Sequence, residues 1–310
     1  MKIIELSKRD ATAVNEQTAV ALGFFDGVHT AHRTLFSTVL KEARARGASS
    51  AVLTFSEGGS DGIKGGVKRI CTEEEKLAFF EELGIDYAFV LDFVSVKGMS
   101  PSQFVDEIMI DTCKSTLAVC GFDFRFGARA VGNSDTLTSL MRERGGDCIV
   151  CPAFDIDGEA VSSTLIKSLL AEGNIERANR LLGYPFSISG EVYHGKSLGR
   201  ELGSPTANIV YPENIVQMKK GVYATRVFLD GEYYSAVTNV GVRPTVDSQA
   251  KANLETHIID YEGDLYGRKI KVEFLSFVRE ERRFSDVGEL KKQILFDIEE
   301  VIKWQKSGRS

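Results

Sequence analysis

No apolar run in this chain approaches the ~20 residues that a membrane-spanning helix needs. The opening Met1-Lys2-Ile3-Ile4-Glu5-Leu6 has neither the apolar stretch nor the small-residue cleavage site of a secretion signal, so a cytoplasmic location is expected. Cysteines number five, an odd count, and imply no disulfide framework. Cys148 and Cys151 form a C-x-x-C, but it lies in an apolar run that reads as a strand, where residues three apart face opposite sides. Two strand cysteines are the simpler reading there than a metal or redox site. Clustered cations are also lacking, and the net charge is −6, which argues against a nucleic-acid partner. Small-molecule partners, anionic ones included, and a monomer or weak homo-oligomer are expected. Repeats and low-complexity tracts are absent.

What is present exceeds one ordinary domain, since the chain has 310 residues. Up to about residue 183, short apolar runs alternate with helical patterns. Strands are expected over 18–22, 50–55, 87–91, 117–120 and 148–151. Helices are expected over 31–46, 102–109 and 134–144, and another opens on Thr72 with Glu75 completing a capping box. Such alternation predicts a Rossmann-like α/β domain with a parallel sheet. Two further helices follow, one capped by Ser162-Ser163-Thr164 and one over 174–182, which Gly183 and Pro185 stop. From Phe186 the segments are short, alternating and β-branched, and 222–240 reads as a hairpin turning on Asp230-Gly231. An all-β antiparallel barrel closed by a helix over 286–306 is predicted. The expected domains are 1–183 and 184–310.

Gly23-Phe24-Phe25-Asp26-Gly27-Val28-His29-Thr30-Ala31-His32 joins the first expected strand to the first helix. Ligands of open α/β sheets bind at that end of the strands, and a helix N-terminus offers free N–H groups to phosphate. Gly23 and Gly27 would let backbone approach a ligand. His29 and His32 face one phosphate position and suit charge developing in nucleotidyl transfer. An isolated H-x-x-H reads more simply as two surface histidines; the strand-turn-helix setting favours the site.

In the second half, Gly195, Gly199 and Gly203 punctuate a loop suited to wrapping phosphates. Thr206 and Asn208 follow on one face of an extended segment, as hard oxygen ligands for Mg²⁺. Glu255 and His257 share one side of a later strand, where Glu255 is a candidate general base. The plain alternative is an exposed strand glutamate. All four histidines (29, 32, 194 and 257) fall inside these segments, although His194 and His257 also read as structural hydrogen-bonders.

These segments resemble the bacterial bifunctional riboflavin kinase/FAD synthetases. In the first half the resemblance rests on residues 23–32, Thr72 to Lys76 with Leu83-Gly84-Ile85-Asp86-Tyr87, the run 121–127, and Ser162-Ser163-Thr164-Leu165-Ile166-Lys167. In the second half it rests on residues 195–209, Gly221-Val222-Tyr223, Asn239-Val240-Gly241 with Arg243-Pro244-Thr245, Glu255-Thr256-His257-Ile258 and Leu265-Tyr266-Gly267. It implies Mg²⁺- and ATP-dependent conversion of riboflavin to FMN and of FMN to FAD. By the resemblance, Gly23, Asp26, Ser163, Thr164, Lys167, Gly195, Gly199, Arg200, Thr206 and Asn208 would bind ATP, and Thr206 and Asn208 the metal. Asp123, Phe126, Arg279 and Phe284 would meet flavin, with Glu255, His29 and His32 catalytic. The chain departs from the family pattern at Ala31, at Lys167, over residues 56–60 and over 128–132. A riboflavin kinase with a non-catalytic nucleotide-binding first domain, a regulatory flavin-binding protein, or transfer to another phosphate ester are the other readings.

Overall fold

The computed structural model describes residues 1–6, 14–56, 68–193, 206–243, 251–282 and 284–306. Two compact units divide the chain, Met1–Ser163 and Thr164–Ser310.

In the first unit, β1 (Lys2–Leu6), β2 (Thr18–Leu22), β3 (Ser49–Phe55), β4 (Tyr87–Leu91) and β5 (Ser115–Gly121) precede a small pair, β6 (Arg125–Phe126) and β7 (Gly132–Asn133). They are followed by β8 (Asp147–Cys151) and a second small pair, β9 (Asp155–Ile156) and β10 (Glu159–Ala160). The main sheet runs β1-β4-β3-β2-β5-β8 with every pairing parallel. Central β2 is buried throughout because both faces are covered. Ala19 and Ala21 face a cluster with Phe36, Val39 and Phe80; Val20 and Leu22 face another with Met109, Leu137 and Met141. Cys148 packs toward the second cluster and Cys151 toward the first, as strand alternation requires.

The helix Thr30–Arg46 ends on Gly47 at φ 63, a left-handed cap. Thr72 and Glu75 form the expected capping box ahead of the helix Glu73–Glu82. Strand β1 escaped the sequence reading: it is an edge strand whose exposed residues lack a clear apolar period. The helix expected over 102–109 winds wider than an α-helix across Phe104–Thr112, closing with Cys113 N–H donating to Ile108 C=O.

The second unit opens with helices Ser163–Glu172 and Ile175–Leu182. Its strands are β11 (Ser187–Glu191), β12 (Thr206–Val210), β13 (Gly221–Leu229), β14 (Glu232–Arg243), β15 (Lys251–Ile258) and β16 (Lys269–Arg279). They form one antiparallel sheet in the order β11-β16-β13-β14-β15-β12. The Tyr193–Asn208 bridge joins the ends of that order and nearly closes a barrel. Gly190 allows this approach, since a Cβ there would lie 2.2 Å from Ile209 Cγ2. Asp230 and Gly231, at φ 52 and 94, turn the expected hairpin. Inside, the hydroxyls of Thr225, Thr238 and Thr256 bond one another at 2.8 and 3.0 Å, which satisfies three buried polar groups together. The helix Val287–Lys306 lays Ile298, Val301 and Ile302 against Ala224 and Ile259.

Sequence punctuation at Gly183 puts a boundary after the helix Ile175–Leu182, whereas the compact units part at Ser163. That helix belongs to the barrel by hydrogen bonding. Asn179 Nδ2 donates to Phe274 C=O at 2.8 Å, its Oδ1 accepts from Phe186 N–H at 2.7 Å, and Ser276 donates to Glu176 at 2.6 Å.

Candidate active sites

At the carboxyl end of β2 the chain turns through left-handed geometry at Phe25, Gly27 and Val28 before entering the helix Thr30–Arg46. The two glycines serve packing as well as backbone freedom. A Cβ on Gly23 would lie 2.9 Å from the Phe25 ring, and one on Gly27 2.9 Å from Ile70. Asp26 Oδ1 accepts from Ile70 N–H at 2.8 Å, and Ser163 Oγ donates to Asp26 C=O at 2.9 Å. Thr54 Oγ1, at the end of β3, donates to Phe24 C=O at 3.1 Å. Lys76 was no sequence candidate, yet it is only 3% exposed and donates to Thr54 Oγ1 and Phe55 C=O, both at 3.1 Å. Burial pulls its pKa below the ordinary lysine value. A buried ammonium so held supports the turn from beneath.

His29 caps the helix: its Nδ1 accepts from His32 N–H at 3.4 Å. The ring therefore carries its proton on Nε2 when neutral. The two imidazoles stack with centroids 3.5 Å apart. Burial lowers His29 to about 4, against the opposing pull of Asp26. Burial, then the neighbouring His29, takes His32 well below its usual value. Its Nδ1 is buried with no hydrogen-bond partner among the described residues. Between pH 6.5 and about 4 the unfolded chain binds a proton on His29 that the native turn refuses. Stability is thus retained above pH 6.5 and lost as pH falls toward 4, with a contribution on the order of 3 kcal/mol. Urea midpoints from pH 7 to 4 should fall more steeply in the wild type than in His29→Asn; parallel curves would refute the assignment.

The run after β5 places Asp123 in solvent, whereas Phe126 lies in the core against Phe104 and Phe124. Thr164 and Lys167 sit at the start of the helix Ser163–Glu172, which belongs chiefly to the second unit.

In the barrel, β12 and β15 pair so that Thr206 opposes His257 and Asn208 opposes Glu255. Asn239 of β14 opposes Glu255 from the other side. Leu254, Thr256 and Ile258 point inward and are buried, whereas Glu255 is exposed. The glutamate thus bears no burial penalty. Asn208, by contrast, is buried at 7% exposure. Asn253, absent from the sequence candidates, reaches both: its Nδ2 lies 3.3 Å from Glu255 Oε1 and 3.5 Å from Asn208 Oδ1. Arg279 is engaged with Asp297, its Nε at 2.9 Å and its Nη2 at 2.6 Å, and Phe284 is half-buried nearby in sequence. Gly195, Gly199, Arg200 and His194 lie outside the described residues, as do residues 57–60 and 244–245.

Residues 11–165 match the FAD synthetase family model and residues 182–305 the riboflavin kinase family model. A bifunctional riboflavin kinase/FMN adenylyltransferase of Bacillus subtilis is 33% identical over 98% of each chain. Its counterpart in Escherichia coli K12 is 35% identical over 96% of each. The chain belongs to the bifunctional riboflavin kinase/FMN adenylyltransferase family. Within that family's two-domain plan, the FAD synthetase match ends two residues beyond the first compact unit. The riboflavin kinase match begins where the helix Ile175–Leu182 ends. A crystal structure described as a macrolide-efflux protein from Streptococcus pneumoniae is 28% identical, with a TM-score of 0.89 over 98% of this chain and 100% of that one. Among the described residues no helix is long and apolar enough to cross a membrane.

Lys76 and Asn253 escaped the sequence reading for different reasons. A lysine on a helix reads as solvated, and only the packing of that helix under β3 buries it. An asparagine in a strand reads as facing solvent; the pairing of β12 with β15 brings Asn208 to it, and barrel closure brings Tyr193.

Proposed function

We propose that the chain is a transferase catalysing two reactions in series: riboflavin plus ATP to FMN plus ADP, then FMN plus ATP to FAD plus pyrophosphate. The observation that carries the reading is that each family model covers its own constellation, 23–32 in one unit and Thr206, Asn208 and Glu255 in the other.

In the barrel, the terminal ribityl hydroxyl of riboflavin attacks the γ-phosphorus of ATP, ADP leaves, and Glu255 takes the hydroxyl proton. Thr206 Oγ1 and Asn208 Oδ1 suit Mg²⁺, being hard oxygens on one strand face of the kind that ion shares with substrate phosphates. When bound, Mg²⁺ offsets charge on the phosphate oxygens. Gly195, Gly199 and Arg200 are assigned to ATP binding, and Arg279 and Phe284 to the flavin, by the family resemblance.

In the first unit, an FMN phosphate oxygen attacks the α-phosphorus of a second ATP and pyrophosphate leaves. The nucleophile is already ionised, so no carboxylate base is needed. His29 presents its Nε2–H to the α-phosphate, and His32 stacks against it. Gly23, Asp26 and Ser163 hold the ATP, and Asp123 lies toward the flavin, whereas Phe126 packs in the core. A cytoplasmic setting fits such small-molecule chemistry.

Ala31 and Lys167 depart from the family pattern and favour a second reading, in which only the kinase turns over. Product analysis by HPLC separates the two. With Mg²⁺ and ATP, the purified chain should yield FAD both from riboflavin and from FMN. FMN from riboflavin with no FAD in either reaction would leave the kinase alone.

A further inference from the structure

Asn253 is 4% exposed, two residues before the exposed Glu255 and on the same face of β15. A buried amide needs partners for both ends. Its Oδ1 accepts from the Tyr193 hydroxyl at 2.6 Å, the short bond of the group. Its Nδ2 then faces two acceptors, Glu255 Oε1 at 3.3 Å and Asn208 Oδ1 at 3.5 Å. This orientation of the amide follows from its partners, because a carboxylate only accepts and a phenol readily donates. Tyr193 is itself pinned across the barrel seam, where its N–H donates to Asn208 C=O at 3.0 Å. Among the described residues, the Glu255 carboxylate has no other hydrogen-bond partner.

We propose that Asn253, anchored by Tyr193, is a positioning residue for phosphoryl transfer: it fixes Glu255 through Oε1 and orients Asn208 through Oδ1. The inference rests on the reading of Glu255 as the base. One carboxylate oxygen is tethered, so the rotamer that turns Oε2 toward the attacking hydroxyl is selected in advance. An exposed, untethered glutamate would spread over several rotamers and spend most of its time turned away. The same amide holds one lone pair of Asn208 Oδ1 and leaves the other for the metal and phosphates. A single buried side chain thus sets two groups that must act together, and the barrel seam sets that side chain.

The test is a cycle of variants in the full-length chain, assayed for FMN formation from riboflavin. Asn253→Ala should lower kcat by about tenfold and leave the riboflavin KM within about twofold, because positioning is lost and flavin binding is not. Tyr193→Phe, which keeps the ring and loses only the anchor, should lower kcat in the same direction by a smaller factor. In a Glu255→Gln background, adding Asn253→Ala should cost a clearly smaller factor than in the wild type, since only the orientation of Asn208 is left to lose. A purely structural role would cost the same factor in both backgrounds and would overturn the proposal. So would wild-type kcat in either single variant. FAD formation from supplied FMN should stay unchanged throughout. If Glu255→Gln itself retains wild-type kcat, the base assignment fails first, and that result is distinct from failure of Asn253 alone. Where Asn253→Ala does not fold, Tyr193→Phe alone decides: an unchanged kcat overturns the proposal.

Discussion

Replacing Glu255 by Gln is expected to cut FMN formation from riboflavin by about 10²–10⁴-fold while FAD formation from supplied FMN stays at the wild-type rate. The substitution keeps the size of the side chain and its contact with Asn253 Nδ2, so the strand pairing of β15 with β12 and β14 is undisturbed. What it removes is the proposed proton acceptor. A primary hydroxyl is a weak nucleophile at neutral pH, and the proton it sheds on attacking phosphorus needs a place to go. Glu255 is exposed on the face shared by Asn208 and Asn239, where an incoming hydroxyl can reach it. Adenylyl transfer is untouched because its constellation lies in the other compact unit and its nucleophile is already a phosphate anion. Paired rates measured by HPLC give the answer. Equal loss of both activities would sink the separate-site reading, and an unchanged FMN rate would remove Glu255 from the chemistry.

His29→Ala should show the mirror pattern, with FAD formation from FMN reduced by about 10²–10³-fold and FMN formation retained. Two effects are mixed in that variant. His29 is the N-cap of the helix Thr30–Arg46, so its loss also costs about 1 kcal/mol of stability. His29→Asn separates them. Asparagine caps well through its own side-chain oxygen but offers no Nε2–H at the same reach. Thermal melting should therefore recover in His29→Asn while adenylyl transfer stays low. Recovery of the rate together with the stability would make His29 a cap and nothing more. The neutral state of the stacked pair matters here. With His29 held at about 4 by burial, the ring is neutral at pH 7 and in the proposed role meets the substrate as a hydrogen-bond donor.

Both candidate constellations stand out in the sequence because their residue types are costly to place by chance. Gly23, Gly27, His29 and His32 stand where an apolar strand ends and a helical period begins. Thr206 with Asn208, and Glu255 with His257, alternate within strand-like runs, and the structure brings all four into facing register. Local rules carried equally well at the capping box of Thr72 and Glu75, the left-handed Gly47 and the Asp230-Gly231 turn. In each of these the governing interaction lies within a few residues of sequence.

The chain's own order of residues determined a parallel α/β unit followed by an antiparallel barrel, and it singled out the segments proposed to bear their chemistry. Periodicity, capping and turn geometry are local, so a linear text records them. Only the tertiary structure decided that Lys76 is a buried support beneath the first turn and that Glu255 is exposed while Asn208 is not. It alone brought Tyr193 to Asn253 across the seam, 60 residues apart in sequence. Those outcomes depend on which strands meet and which helix covers them. Burial and long-range hydrogen bonds belong to pairs of segments, and no single segment carries them.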